Sequence, residues 1–176
     1  SVRTGRTMRQ IEKGEAPKTS RSDSGRKRKA PAFRGPQLAT LVKDAPQGDA
    51  RWHETKFDGY RALAALGKGG TTLYSRSGKD WTDTFAVLAS AFDPLPCDSA
   101  LLDGEVMAAV IEGSPFSSLQ KALSDGGPLV FFAFDLIELD GVDIADRPLR
   151  ERRGLLAGLF ADLPGGGPLR MSEHVV

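Results

Sequence analysis

Lys56, Asp58, Gly59 and Arg61 stand at a spacing that can bring a nucleophile and a cation into one pocket. A lysine amine is a poor nucleophile while protonated, but cationic neighbours or burial lower its pKa, and the free amine attacks phosphorus or a carbonyl carbon. Gly59 allows close approach of the backbone, and Arg61 supplies a delocalised cation suited to a phosphate. The pattern Lys-x-Asp-Gly-x-Arg should arise by chance in roughly one chain of this length in a thousand, at about one in twenty per fixed position. A surface lysine beside an Asp-Gly turn satisfies the same residues. Glu105 is a second candidate. A carboxylate in an apolar strand is costly unless it meets a cation, a hydroxyl or a metal, so a ligand hydroxyl and an internal salt bridge are both open to it. Phe134 belongs with Phe131 and Phe132 to an aromatic run, and strand alternation puts Phe132 and Phe134 on one face, as core aromatics would also stand. Arg76, taken alone, is an arginine of the common exposed kind.

The elements that must position these residues alternate short β-rich runs with amphipathic helices, the pattern of a mixed α/β domain. Residues 51–57 and 60–66 are expected as strands joined tightly through Asp58-Gly59, and 71–76 as a third strand after the turn Gly67-Lys68-Gly69-Gly70. Such a meander implies a largely antiparallel sheet. Residues 84–92 and 116–123 are expected as helices, 100–110 as a long strand interrupted by Asp103-Gly104-Glu105, and 129–139 as the most hydrophobic strand. Residues 149–163 are expected as an amphipathic helix with Arg150, Arg152 and Arg153 on its polar side.

The 176 residues, 40% of them apolar, suffice for one globular domain, and the net charge of +1 hides a division along the chain. Residues 1–35 hold 11 Lys/Arg against 3 Asp/Glu, a formal +8, whereas the remainder is −7. The first segment is rich in Ser, Gly, Lys and Arg and cannot bury enough apolar area to offset its ordering entropy, so it is expected as a flexible linker. Its charge would attract a nucleic-acid backbone, and a solvated linker without a partner has the same composition. The ordered domain is expected over residues 36–176. No apolar run approaches the roughly 18 residues of a membrane span, and the arginine-bearing N-terminus lacks a secretory signal, so a soluble intracellular protein is expected. Cys97 is single, which excludes an internal disulfide and a multi-cysteine metal site. A P-loop ATPase is excluded by the absence of Gly-x-x-x-x-Gly-Lys-Ser/Thr.

Lys56, Asp58, Gly59 and Arg61 resemble the first nucleotidyltransferase motif of ATP-dependent DNA ligases and RNA capping enzymes, and three further segments follow in the same order. Ser75-Arg76-Ser77-Gly78 resembles the motif whose arginine approaches the nucleotide sugar and DNA. Leu102-Asp103-Gly104-Glu105 resembles the one whose glutamate contacts ribose, and Phe134-Asp135-Leu136 the one whose aromatic stacks on the purine. Phe33 to Leu41, Trp52-His53-Glu54, Gly78-Lys79-Asp80-Trp81-Thr82 and Phe116-Ser117-Ser118-Leu119-Gln120 resemble the ligase module of bacterial end-joining ligase D, and the likeness runs from Phe33 to Val176.

The resemblance implies a nucleotidyltransferase domain of the ATP-grasp-like ligase type, with Lys56 as the nucleophile that retains AMP from ATP. Glu54, Arg61, Arg76, Glu105 and Phe134 would surround the nucleotide, with Glu105 also a metal ligand and Arg76 also a DNA contact. It implies magnesium or manganese, a nicked or broken DNA duplex as substrate, phosphoesterase and polymerase modules in the parent chain, and a bacterial cytoplasmic, nucleoid-associated setting. The family's Glu-Gly-Val-Val motif, paired lysines and OB-fold domain would follow Val176, so these 176 residues alone are expected not to seal nicks and to self-adenylate weakly or undetectably. A non-catalytic nucleic-acid-binding module and an RNA capping enzyme or RNA ligase are the alternative expectations.

Overall fold

A computed structural model describes residues 28–38, 40, 42–44 and 52–175. Among them the elements run β1 (His53–Glu54), β2 (Tyr60–Gly67), β3 (Gly70–Ser75), α1 (Ala86–Ser90), β4 (Ala100–Ala108), α2 (Pro115–Asp125), β5 (Leu129–Leu139), β6 (Val142–Asp143), α3 (Leu149–Phe160), β7 (Leu169–Met171) and β8 (His174–Val175). The main sheet has the order β3-β2-β4-β5-β6, every pair antiparallel, and β7 adds to β5 in parallel. The architecture is therefore mixed α/β with a largely antiparallel sheet, as the meander implied. No helix among the described residues is long and apolar enough to cross a membrane.

One face of the sheet carries the core. Ala62, Ala64, Leu102, Val106, Phe131, Ala133 and Leu136 pack beneath Leu88 of α1, Leu119 of α2 and Leu155, Leu156 and Leu159 of α3. Each fully buried leucine of this set contributes about 1.5–3 kcal/mol of transfer free energy. The opposite face is apolar only at one end, where Leu63, Ala65, Leu101 and Ile137 meet Ala30, Tyr74 and Ala145. Residues 28–35, which composition groups with the basic linker, lie against that end. The Arg28 carbonyl accepts from Lys68 N–H at 2.6 Å, Pro31 is buried and the Phe33 ring meets Tyr74 edge-on at 5.5 Å. Residues 1–27 lie outside the described residues.

Four expectations are corrected. Residues 51–57 do not form a hairpin with 60–66, because both edges of β2 are taken, one by β3 and the other by β4. The strand there shrinks to β1 and pairs with β8 in a separate ladder, and residues 55–59 leave the sheet to cross the end of β4. Gly59 is required at the crossing, since a Cβ there would lie 2.2 Å from the Val106 carbonyl oxygen. The helix expected over 84–92 contracts to α1, flanked by turns, and that expected over 149–163 ends at Phe160. Arg152 and Arg153 of α3 are buried rather than on a polar face, and each is compensated by a carboxylate as described below.

The β4–β5 ladder slips in register between Leu101 and Leu102 and again between Asp103 and Gly104. The second slip leaves Phe134 as the extra residue, so Phe132 faces Glu105 while Asp135, an odd number of residues further on, faces Asp103. Strict alternation would send Asp135 into the core, and the bulge returns it to the polar face. Gly104, between the two acids, points at the core: a Cβ would lie 2.4 Å from the Phe131 ring and 2.6 Å from the Phe132 carbonyl oxygen. Gly104→Ala is accordingly expected to lower stability by about 1–3 kcal/mol in urea denaturation, the usual range for overpacking; an unchanged midpoint would contradict this packing.

Candidate active site

The polar face is organised in cross-strand rows. Arg61 on β2 is opposite Glu105 on β4, Glu105 is opposite Phe132 on β5, and Phe132 is opposite Arg170 on β7. The neighbouring row places Leu63, Asp103 and Asp135 side by side. Side chains opposed in this way sit about 5 Å apart, near enough for charge and ring contacts.

Lys56 lies on the crossing segment above the first row. Phe57, its neighbour, stacks on Phe132 with centroids 4.6 Å apart at 19°, and Gly59 N–H donates to Glu105 Oε1 at 2.9 Å. These two contacts fix the segment immediately after the lysine. The Lys56 side chain is 84% exposed, and its Nζ is paired with Asp58. The hydrogen bond and charge of Asp58 raise the Lys56 pKa above the ordinary lysine value. The lowering expected from cationic neighbours does not occur, because Arg61 faces Asp103 instead. Lys56, Asp58, Phe132 and Arg170 contribute to the lining of a cavity of 360 Å³.

Arg61 is held as a fork: its Nε and Nη2 donate to Asp103 at 3.1 and 2.7 Å, and Nη2 also donates to the Gln37 carbonyl at 2.9 Å. Its guanidinium lies 5.2 Å from the Phe134 ring centroid. Burial pushes the Asp103 carboxyl up and the Arg61 fork opposes it, while Asp103 in turn raises Arg61. Burial likewise pushes Glu105 up, against the Gly59 N–H and the charge of Arg61. Among the described residues Glu105 makes no ion pair, so the internal salt bridge open to it in the sequence is not formed with any of them, and its one polar partner there is the Gly59 amide.

Behind this row stand the two buried arginines. Arg152 binds both oxygens of Asp135 at 2.8 Å and donates to the carbonyls of Ala145 and Arg147. Arg153 binds Glu54 Oε1 at 2.5 Å, the Phe134 carbonyl at 3.2 Å, and Ser172 through both Oγ at 3.0 Å and the carbonyl at 2.5 Å. One guanidinium thus ties Glu54 to the strand bearing Phe134. Trp52, stacked on His174 at 4.1 Å, lies 5.9 Å from the same guanidinium.

Of the residues singled out in the sequence, Lys56, Arg61, Glu105 and Phe134 come together on this face, and Glu54 joins them through Arg153. Arg76 does not: it is exposed in the turn after β3 and makes no hydrogen bond or ion pair with any of them. The sequence assigned no role to Phe57, Asp103, Asp135, Arg152, Arg153 or Arg170. Acids inside apolar strands were the available signal for Asp103 and Asp135, whereas nothing local distinguishes Arg152 and Arg153 from solvent-facing helix arginines. Among the described residues no group of three His, Cys, Asp or Glu gathers in a metal-binding arrangement. Glu105 fits the smaller share that magnesium asks of a protein, one or two carboxylates with phosphate oxygens and waters completing the shell.

The fold is that of a DNA ligase nucleotidyltransferase domain. The chain belongs to the ATP dependent DNA ligase domain family, whose model matches residues 36–173. It is 37% identical over 144 residues to the multifunctional non-homologous end joining protein LigD of Pseudomonas aeruginosa, covering 80% of this chain and 17% of that protein. It is 36% identical over 126 residues to the corresponding LigD of Mycobacterium tuberculosis H37Rv, covering 70% of this chain and 16% of that one. The structure is similar to mycobacterial DNA ligase D complexed with ATP and MES, with a TM-score of 0.67 and 32% identity over 81% of this chain and 46% of that one. The chain therefore spans less than half the length of each of these relatives.

Proposed function

We propose that this chain is the lysine-bearing part of a DNA ligase adenylation domain in a larger, bacterial end-joining protein, and that Lys56 carries AMP between ATP and a DNA 5′-phosphate. The observation that carries the reading is the placement of Lys56 and Glu105 on either side of Gly59, in a chain of the ATP-dependent DNA ligase family. The Lys56 amine, once unprotonated, attacks the α-phosphorus of ATP; the N–P bond forms as the bond to the β-phosphate oxygen breaks and pyrophosphate leaves. Asp58, already bonded to the ammonium, is the nearest acceptor for its proton. A 5′-phosphate oxygen of a DNA break then displaces Lys56 from phosphorus, and in the full protein a 3′-hydroxyl displaces AMP to close the strand. Nucleoid DNA, with phosphoesterase and polymerase modules in the same parent chain, is the setting this role requires.

Glu105 meets a ribose hydroxyl, the Phe134 ring stacks on the purine, and Glu54 lines the base side. Arg61, its charge matched by Asp103, lines the nucleotide site beside the Phe134 ring, and exposed Arg76 contacts DNA. A divalent cation, magnesium or manganese, would be held by Glu105 with the phosphates and would neutralise charge on the leaving group.

The test is intact-mass measurement after incubation with ATP and magnesium, followed by peptide mapping. On the full parent protein an AMP adduct on Lys56, with none from GTP, is expected; an adduct mapped to another residue would exclude Lys56 as nucleophile. Because Asp58 raises the Lys56 pKa, the ammonium predominates at neutral pH and the reactive amine is the minor form. Single-turnover adenylation at saturating ATP is therefore expected to rise with pH by up to about tenfold per unit while chemistry limits the rate. A rate that falls from pH 7 to 9 contradicts this order of events.

A further inference from the structure

We infer that Arg170 is a phosphate-binding residue of the Lys56 pocket, a role that complements the nucleotidyl-transfer reading and rests on it. Arg61 and Arg170 occupy the two ends of one cross-strand row, with Glu105 and Phe132 between them. Arg61 is committed: the Asp103 carboxylate takes its Nε–Nη2 edge, and the Gln37 carbonyl takes a further bond from Nη2. Its charge is already neutralised at close range.

Arg170 differs in its partners, which are carbonyls and not a carboxylate. Its Nε and Nη2 donate to the carbonyls of Gly167 and Gly166, both at 3.1 Å, and its guanidinium lies 5.9 Å from the Phe132 ring. Those contacts orient the fork without cancelling its charge, and they leave Nη1 unengaged. Among the described residues Arg170 has no carboxylate partner. It is half-buried and shares with Lys56 the cavity of 360 Å³. An oriented, uncompensated guanidinium in a recess with a lysine nucleophile can offer Nη1 and the second Nη2 proton to a phosphate. The phosphate group is supplied either by the nucleotide or by the DNA 5′ end, and both chemistries meet at Lys56.

The experiment measures equilibrium binding to the wild-type chain, Arg170→Gln and Arg170→Lys in two arms. One arm compares ATP with adenosine; the other compares a nicked duplex bearing a 5′-phosphate with the same duplex bearing a 5′-hydroxyl. Arg170→Gln is expected to reduce the preference for the phosphate-bearing ligand about tenfold in one arm, that of the phosphate's source, with partial recovery in Arg170→Lys. Thermal midpoints monitor folding, and Arg170→Lys, which keeps the charge and one donor direction, carries the comparison should Arg170→Gln unfold. Equal weakening of all four ligands identifies a brace for the loop at 166–167 and overturns the inference. So do unchanged preferences in both arms. A wild-type chain that prefers neither phosphate-bearing ligand overturns the nucleotidyl-transfer reading itself. An AMP adduct on Lys56 with unaltered preferences in Arg170→Gln overturns the Arg170 role alone.

Discussion

In the full parent protein Lys56→Ala is expected to remove the covalent nucleotide completely while leaving the fold intact. The side chain is 84% exposed, and its recorded partner is Asp58, itself largely exposed, so truncation opens no cavity and strands no buried charge. The crossing segment stays in place because it is anchored by the Phe57–Phe132 stack and by the bond from Gly59 N–H to Glu105, neither of which involves the lysine. Reversible ATP binding and the thermal midpoint should thus match wild type, whereas the mass shift with ATP disappears. Lys56→Arg should behave alike, since a guanidinium does not deprotonate and cannot supply the lone pair. An adduct persisting in either variant removes Lys56 from the role.

The largest effect on stability is expected from Arg153→Met. The arginine is 3% exposed and satisfies Glu54, the Phe134 carbonyl and both oxygens of Ser172. Methionine fills much of the volume but answers none of these acceptors, and Glu54 is left without its cation. Breaking one side of a buried pair costs about 3–5 kcal/mol. Against a domain stability of roughly 5–15 kcal/mol, that is a large fraction. Urea denaturation reads the loss directly. Hydrogen exchange should show where it falls first: the β1–β8 ladder, paired among the described residues at His53–Val175 and Glu54–His174, is tied to β5 by Arg153 and by the Ser172 N–H bond to the Ala133 carbonyl. A loss under about 1 kcal/mol, or protection of that ladder equal to wild type, would mean that apolar packing holds it.

The strands and helices were legible because their signals are local. The short β-rich runs of β2 and β3, the apolar run of β5, and α2 with its Ser114 cap, Pro115 at the first turn and Gly126 at φ 70° all declare themselves within a dozen residues. The segment 51–57 was misread for the same reason. Its composition suits a strand, and whether β2 has a free edge to receive it is a property of the whole sheet.

The candidate site divides along the same line. By itself the sequence determined that Lys56, Asp58, Gly59 and Arg61 form one unit, that Glu105 sits in an apolar strand, and that Phe132 and Phe134 share a face, since each follows from identity and spacing along the chain. Only the tertiary structure decided what each one touches. The bulge at Phe134 brings Asp135 beside Asp103, the burial of α3 turns Arg152 and Arg153 inward to meet Asp135 and Glu54, and the pairing of β7 with β5 carries Arg170 to the pocket of Lys56. Charges separated by tens of residues find their partners only when strand register and helix burial are set. That is why Arg61 looked like a free phosphate cation in the sequence and stands in the fold with its charge already matched by Asp103.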